Sequence, residues 1–178
     1  MNRRYFLLGT LAAGTALGVG GFTWLRGGPS EAKLGIPAAV QVLDDLMRDD
    51  VVTMGEWNLA QIFVHCAQSV EFSMEGFPEH KSDFFKATAG SMAFAAFSSR
   101  GEMIHGLDEA IPGAPSLNAD TEIHFAYDRF RASMLAFQDF QGELAPHFAY
   151  GRLSKVEYER AHAMHFYNHL DEIQVGGV

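Results

Sequence analysis

Three histidines stand close together near the C-terminal end of the sequence, in the run Glu157-Tyr158-Glu159-Arg160-Ala161-His162-Ala163-Met164-His165-Phe166-Tyr167-Asn168-His169-Leu170. At about 100° per residue on a helix, His162, His165 and His169 fall in one narrow sector with Phe166 and Ile173, so they are expected to point inward. Histidines four apart, as His165 and His169 are, can place two imidazoles on a single metal ion. Two imidazoles leave a divalent ion short of ligands, so a third is expected from another helix. His65 shares its face with Ile62, Ser69 and Phe72, on the shoulder of an apolar stripe, where it could enter the same interior. Three histidines with open positions suit zinc, nickel or ferrous iron better than magnesium or calcium, which prefer all-oxygen shells. Burying three imidazoles on one stripe is costly unless they are paired or metallated. The alternative for these residues is a hydrogen-bonded histidine core. His162 stays open between a fourth ligand, a proton shuttle and a hydrogen-bond donor behind a ligand.

No catalytic residue is forced by the spacing. Glu172 and Tyr158 lie near the histidine stripe and are the candidates for a general base. Cys66 neighbours His65, but adjacent residues on a helix diverge by about 100°, a poor geometry for a nucleophile pair, so Cys66 is expected in the core. His80, His105 and His147 fall in loops and default to the surface, although His105 and His147 lie in Gly- and Pro-rich segments that could cover a bundle mouth and touch substrate. Asp44-Asp45 and Asp49-Asp50 read as solvated helix ends.

The elements that must position these groups are helical, because nothing alternates with period two for long enough to suggest a sheet. A first helix is expected from about Pro37 to Arg48. A second follows an Asn58/Gln61 capping box and runs to Met74, stopped by Gly76-Phe77-Pro78. A third stretch, Asp83 to Ser99, is apolar nearly all round, which predicts a buried crossover. Residues 100–117 read as a long loop. A fourth helix is expected over about Ala119 to Gln141, and a last one from the Ser154/Glu157 capping box to about Ile173. The fold class is therefore all-α, a four-helix bundle with an extra crossover helix and a long loop.

The chain has 178 residues, 48% hydrophobic, with one cysteine and a formal charge of -9, which allows one compact domain, residues 29–178, plus a tail. One cysteine excludes an intrachain disulfide framework and a Cys-rich metal site. Nucleic acid is excluded as a partner because phosphate neutralisation needs a concentrated Lys/Arg surface. Residues 1–28 differ from the remainder: they hold Arg3, Arg4 and Arg26 and no acid, with 21 uncharged residues from Tyr5 to Leu25. That length would cross a bilayer, yet five glycines and three threonines make the segment only mildly apolar. The Arg3-Arg4 pair followed by Tyr5, Phe6 and Leu7 resembles a bacterial twin-arginine signal, which implies export of a folded protein by the twin-arginine machinery to the periplasm, or anchoring to the inner membrane facing it.

Trp57-Asn58-Leu59-Ala60-Gln61 followed by His65, and far downstream the His165-x-x-x-His169 pair, resemble the DinB/YfiT-like superfamily of metal-binding four-helix bundles. More narrowly, Pro146-His147-Phe148, Gly151, Leu153-Ser154 and the run His165 to Leu170 are similar to an uncharacterised branch of it, over roughly Ile36 to Ile173. The resemblance implies that His65, His165 and His169 are the metal ligands. One departure is Asn168, where that branch is expected to carry a further histidine. Characterised members of the superfamily include thiol-dependent transferases and isomerases, and fold kinship does not select among reactions. The expectation is an exported protein holding one divalent ion, acting on a small-molecule substrate as a metal-dependent hydrolase or thiol transferase, with a homodimer left open. The alternative is a non-catalytic helical module that binds a ligand or partner.

Overall fold

The computed structural model describes residues 33–175, so the expected signal or anchor at residues 1–28 lies outside the described residues. The described chain is mostly helical. In order it runs α1 (Ile36–Leu46), β1 (Val51–Thr53), α2 (Leu59–Glu75), α3 (Asp83–Phe85), a π-helical turn (Lys86–Gly90), α4 (Ser91–Arg100), α5 (Ile123–Asp139), α6 (Lys155–His169), a 3-10 turn (Leu170–Glu172) and β2 (Ile173–Val175). Among the described residues no helix is long and apolar enough to cross a membrane.

Helix boundaries follow local chemistry. α1 carries proline in its first turn, where a missing N–H costs nothing. α2 and α6 both begin at complete capping boxes, Asn58 with Gln61 and Ser154 with Glu157, as the sequence predicts. α2 packs most extensively on α5, and α1 and α6 close the assembly, α1 touching α5 and α6 and α2 touching α6. Their shared interior holds Leu43, Ile62, Phe63, Val70, Phe130, Met134, Phe137 and Phe166, each at most 1% exposed. Ion pairs tie the outside of these contacts: Arg129 meets Glu71 through two nitrogens at 2.9 and 2.6 Å, and Arg131 donates to Asp44 at 3.0 Å. Asp44 also accepts from the Tyr127 hydroxyl at 2.8 Å, so it fastens α1 to α5 and is not the solvated helix end its sequence suggests.

Three further expectations are corrected. A two-stranded antiparallel sheet is present, pairing Val51 with Val175, Val52 with Gln174 and Thr53 with Ile173. Strands of three residues are too short to reveal a period of two. The last helix therefore stops at His169, and Ile173 belongs to β2. The stretch read as a buried crossover instead lies on the surface: Phe84 is 80% and Met92 72% exposed, and α4 buries only Phe94. Apolar composition without a stripe gave no face to bury. What seats this segment is Gly90, whose missing Cβ lets the Ala149 carbonyl approach the helix, together with Phe94 against Leu34, Met103, Ala161 and Met164.

Candidate metal centre

α2 and α6 lie side by side, and their facing histidines meet. One nitrogen each from His65, His165 and His169 falls within 4.8 Å of the other two. Nε2 of His65 is 3.0 Å from Nε2 of His165. The ring centroids are 4.9 Å apart for His65 and His165, 5.2 Å for His65 and His169, and 5.2 Å for His165 and His169. His65 is 2% exposed and His169 is fully buried. Burial, followed by mutual repulsion with neighbouring imidazolium, pushes the pKa of His65 and of His169 down to about 3 and holds that of His165 well below the usual histidine range. At neutral pH all three rings are therefore uncharged, the form in which imidazole donates a lone pair.

The donor set fits a metal ion. Nε2 of His169 is buried without a hydrogen-bond partner among the described residues, which in a protein interior calls for an explanation. Nitrogens around a tetrahedral zinc at about 2.0–2.1 Å stand about 3.3 Å apart. The observed spacing, from 3.0 Å to at most 4.8 Å, brackets that value. Three buried histidines this close could hold a metal ion.

Around them stand residues whose roles the spacing did not reveal. Nδ1 of His169 donates to Oε1 of Glu172 at 3.1 Å, a hydrogen bond from a neutral ring to a carboxylate, which leaves Nε2 facing the cluster. Glu172, 7% exposed, thus stands behind a candidate ligand, its Oε1 accepting from the His169 ring. Burial, with a contribution from Asp108, raises its pKa. Trp57, the residue before the α2 cap, stands 4.8 Å from His65 and is stacked at 6.0 Å on His169. His105 comes in from the long loop, its ring 4.8 Å from His165 and 5.3 Å from His169. Its position in a Gly-rich segment was the only signal available, and that pointed to the mouth of the bundle without placing the ring. Asn168, the position of the departure from the family pattern, donates from its amide to the His105 carbonyl at 3.4 Å and so holds the loop against α6.

The remaining candidates fall elsewhere. His162 does not join the cluster: it donates from Nε2 to the Ser73 hydroxyl at 3.2 Å, since that hydroxyl itself donates to the Val70 carbonyl at 2.6 Å. Its ring lies between Phe137 and Tyr158. Along α6 it stands about 4.5 Å from the level of His165 and about 10.5 Å from that of His169, and a shared angular sector says nothing about height. The Tyr158 hydroxyl donates to the Ala145 carbonyl at 2.7 Å and has no part in the cluster. His147 accepts at Nδ1 from the backbone N–H groups of Ala149 and Tyr150 at 3.1 and 3.2 Å, a turn-forming role. Cys66 is buried, and burial pushes its thiol pKa far above the usual value, which leaves it inert. A surface groove between α4 and the start of α6, lined by Phe94, Tyr150, Val156 and Arg160, contains no histidine.

The family model described as a protein of unknown function, DUF1569, matches residues 34–175 of the chain, a span that holds all of these groups. No curated protein and no solved structure matches it.

Proposed function

The chain belongs to the DUF1569 family, and we propose that it is a metal-binding protein of DinB/YfiT-like four-helix-bundle type in which His65, His165 and His169 hold one divalent ion, zinc, nickel or iron. The observation that carries this reading is the convergence of three neutral imidazoles from α2 and α6, with the buried Nε2 of His169 left without a hydrogen-bond partner among the described residues. When bound, such an ion supplies a Lewis acid that polarises a substrate oxygen and lowers the pKa of water to about 7, the chemistry of a metal-dependent hydrolase or a thiol transferase. The chain's own contribution is positional. Glu172 fixes the His169 tautomer and ring angle, and Trp57 covers His65 and His169 on one side. The packed helices hold both histidine-bearing faces in register.

Metal analysis of protein purified without an affinity tag tests the reading. One ion per chain is expected, lost in the variant His165→Ala with His169→Ala. No stoichiometric metal, or metal retained by that variant, ends it. The second reading, a hydrogen-bonded histidine core, is favoured by the 3.0 Å approach of His65 to His165. It leaves Nε2 of His169 unpaired among the described residues. Thermal melting with and without a chelator separates the two, because an ion at a hundredfold excess over Kd stabilises the folded state by about 2.7 kcal/mol. A melting point indifferent to chelation belongs to the hydrogen-bonded core.

Export completes the proposal. Arg3-Arg4 and the 21 uncharged residues that follow are assigned as a twin-arginine-type signal or anchor, which would deliver the folded bundle to the periplasm. Folding before transport would let the protein take its ion inside the cell. Arg3→Lys with Arg4→Lys is expected to leave the protein in the cytoplasm in a fractionation experiment, and undiminished export would remove the assignment.

A further inference from the structure

Among the described residues the histidine cluster is larger than its triad, because His105 brings a fourth imidazole to the same place from the loop between α4 and α5. Its ring stands 4.8 and 5.3 Å from those of His165 and His169, close to the spacing of the triad rings, while the nitrogens within 4.8 Å of one another are those of His65, His165 and His169. Two further observations concern its nitrogens. Nδ1 lies 2.7 Å from the Gly106 carbonyl, which can only accept, so Nδ1 carries the proton and the Nε2 lone pair is free. Nε2 is buried and has no hydrogen-bond partner. A ring that gives one N–H to a backbone carbonyl and keeps a buried, unpaired nitrogen beside other imidazoles has the tautomer of a metal ligand.

Side chains of α6 and α2 fasten the loop that carries that ring. Asn168, adjacent to His169, donates to the His105 carbonyl at 3.4 Å. The far end of the loop is fastened along α2, where Gln68, Gln61 and Asn58 donate to the carbonyls of Pro115, Leu117 and Ala119 at 3.0, 3.4 and 2.9 Å. The helix that carries His65 therefore also anchors the loop that carries His105.

We propose that His105 is a fourth, loop-borne ligand that closes the metal site, so that an exogenous ligand reaches the ion by displacing the His105 ring. The proposal rests on the metal reading above. A site with four protein ligands is closed, and one with three keeps a position open. His105 thus decides between a resting, closed centre and an open one, and Asn168 acts through it as a positioning residue.

The test uses the full chain, stripped of metal and titrated with one equivalent of Co2+, with azide as the exogenous probe. The wild type is expected to show the intense visible bands of a four-coordinate ion and to ignore azide. His105→Ala is expected to show shifted bands, with water in the vacated position, that respond to azide, with Co2+ affinity reduced at least roughly tenfold. A His105→Ala spectrum and affinity identical to the wild type would overturn the proposal. X-ray absorption of the zinc-loaded wild type needs no variant: four imidazoles support the fourth ligand, and three imidazoles with an oxygen overturn it. Failure of the metal reading itself looks different, since the wild type would then bind no stoichiometric Co2+ at all.

Discussion

Among the described residues the His169 ring makes one hydrogen bond, from Nδ1 to the Glu172 carboxylate, and that contact decides which of its nitrogens is left over. The carboxylate is itself held. The Glu172 carbonyl accepts from the Met54 N–H at 2.7 Å, just beyond the β1–β2 pairing, and its side chain fills the space beside Gly55 where a Cβ would collide with it. Carboxylates behind ligating histidines raise ligand basicity and fix the ring, and their loss lowers metal affinity roughly ten- to hundredfold. Glu172→Gln keeps an acceptor but removes the charge, so a drop in affinity within that range with unchanged stoichiometry is expected from chelator competition. Gly55→Ala is expected to move affinity in the same direction by displacing an intact Glu172. If both variants bind as tightly as the wild type, the carboxylate has no part in the site. The sequence placed Glu172 near the stripe on helical spacing, but the 3-10 turn Leu170–Glu172 that brings it back onto His169 comes from the strand pairing that follows, a contact across about 120 residues.

At the scale of elements, the parts that were legible were local. The capping boxes at Asn58 and Ser154, and the 3.6-residue spacing of the α2 and α6 faces, are written within four or five residues of each other and appear as expected. The parts that were not legible depend on partners far away in sequence. The surface position of α3 and α4 is fixed by Gly90 against Ala149, and His105 is delivered by Asn168. Asn58 joins both kinds of information: its side chain accepts from the Gln61 N–H at 2.9 Å and donates to the Ala119 carbonyl at 2.9 Å. Removing a cap of this type costs about 1 kcal/mol. Asn58→Ala is therefore expected to lower unfolding free energy by about that amount in a denaturant titration. It is also expected to raise amide exchange across residues 115–121, since one of the loop's three fastenings is lost. Exchange unchanged in that segment would show that Gln61 and Gln68 suffice to hold it.

Over the whole molecule the buried histidines make the fold itself sensitive to acid. Burial pushes the pKa of His65, His147, His162 and His169 down to about 3, and His165 is lowered well below the usual range for the same reason. In the unfolded chain these rings titrate near 6.5. Below that pH the unfolded state binds protons that the folded state refuses, so stability is full above about 6.5 and is lost as the pH falls toward 3. Each ring contributes a slope of about 1.4 kcal/mol per pH unit within the window. Acting together, one unit of acidification from 6.5 removes an amount comparable to the 5–15 kcal/mol that stabilises a typical domain. Metal-stripped protein is therefore expected to unfold cooperatively between about pH 5 and 6, read by circular dichroism. A bound ion, which requires neutral imidazoles, shifts that midpoint to lower pH. His162→Gln separates core from cluster: the amide can still donate to Ser73 but does not titrate, so the slope falls by about 1.4 kcal/mol per unit while metal binding stays intact. Stability that stays level from pH 7.5 down to 5 in the stripped protein would mean that these rings are hydrated, and with that the packed interior between α2 and α6 on which the histidine cluster depends.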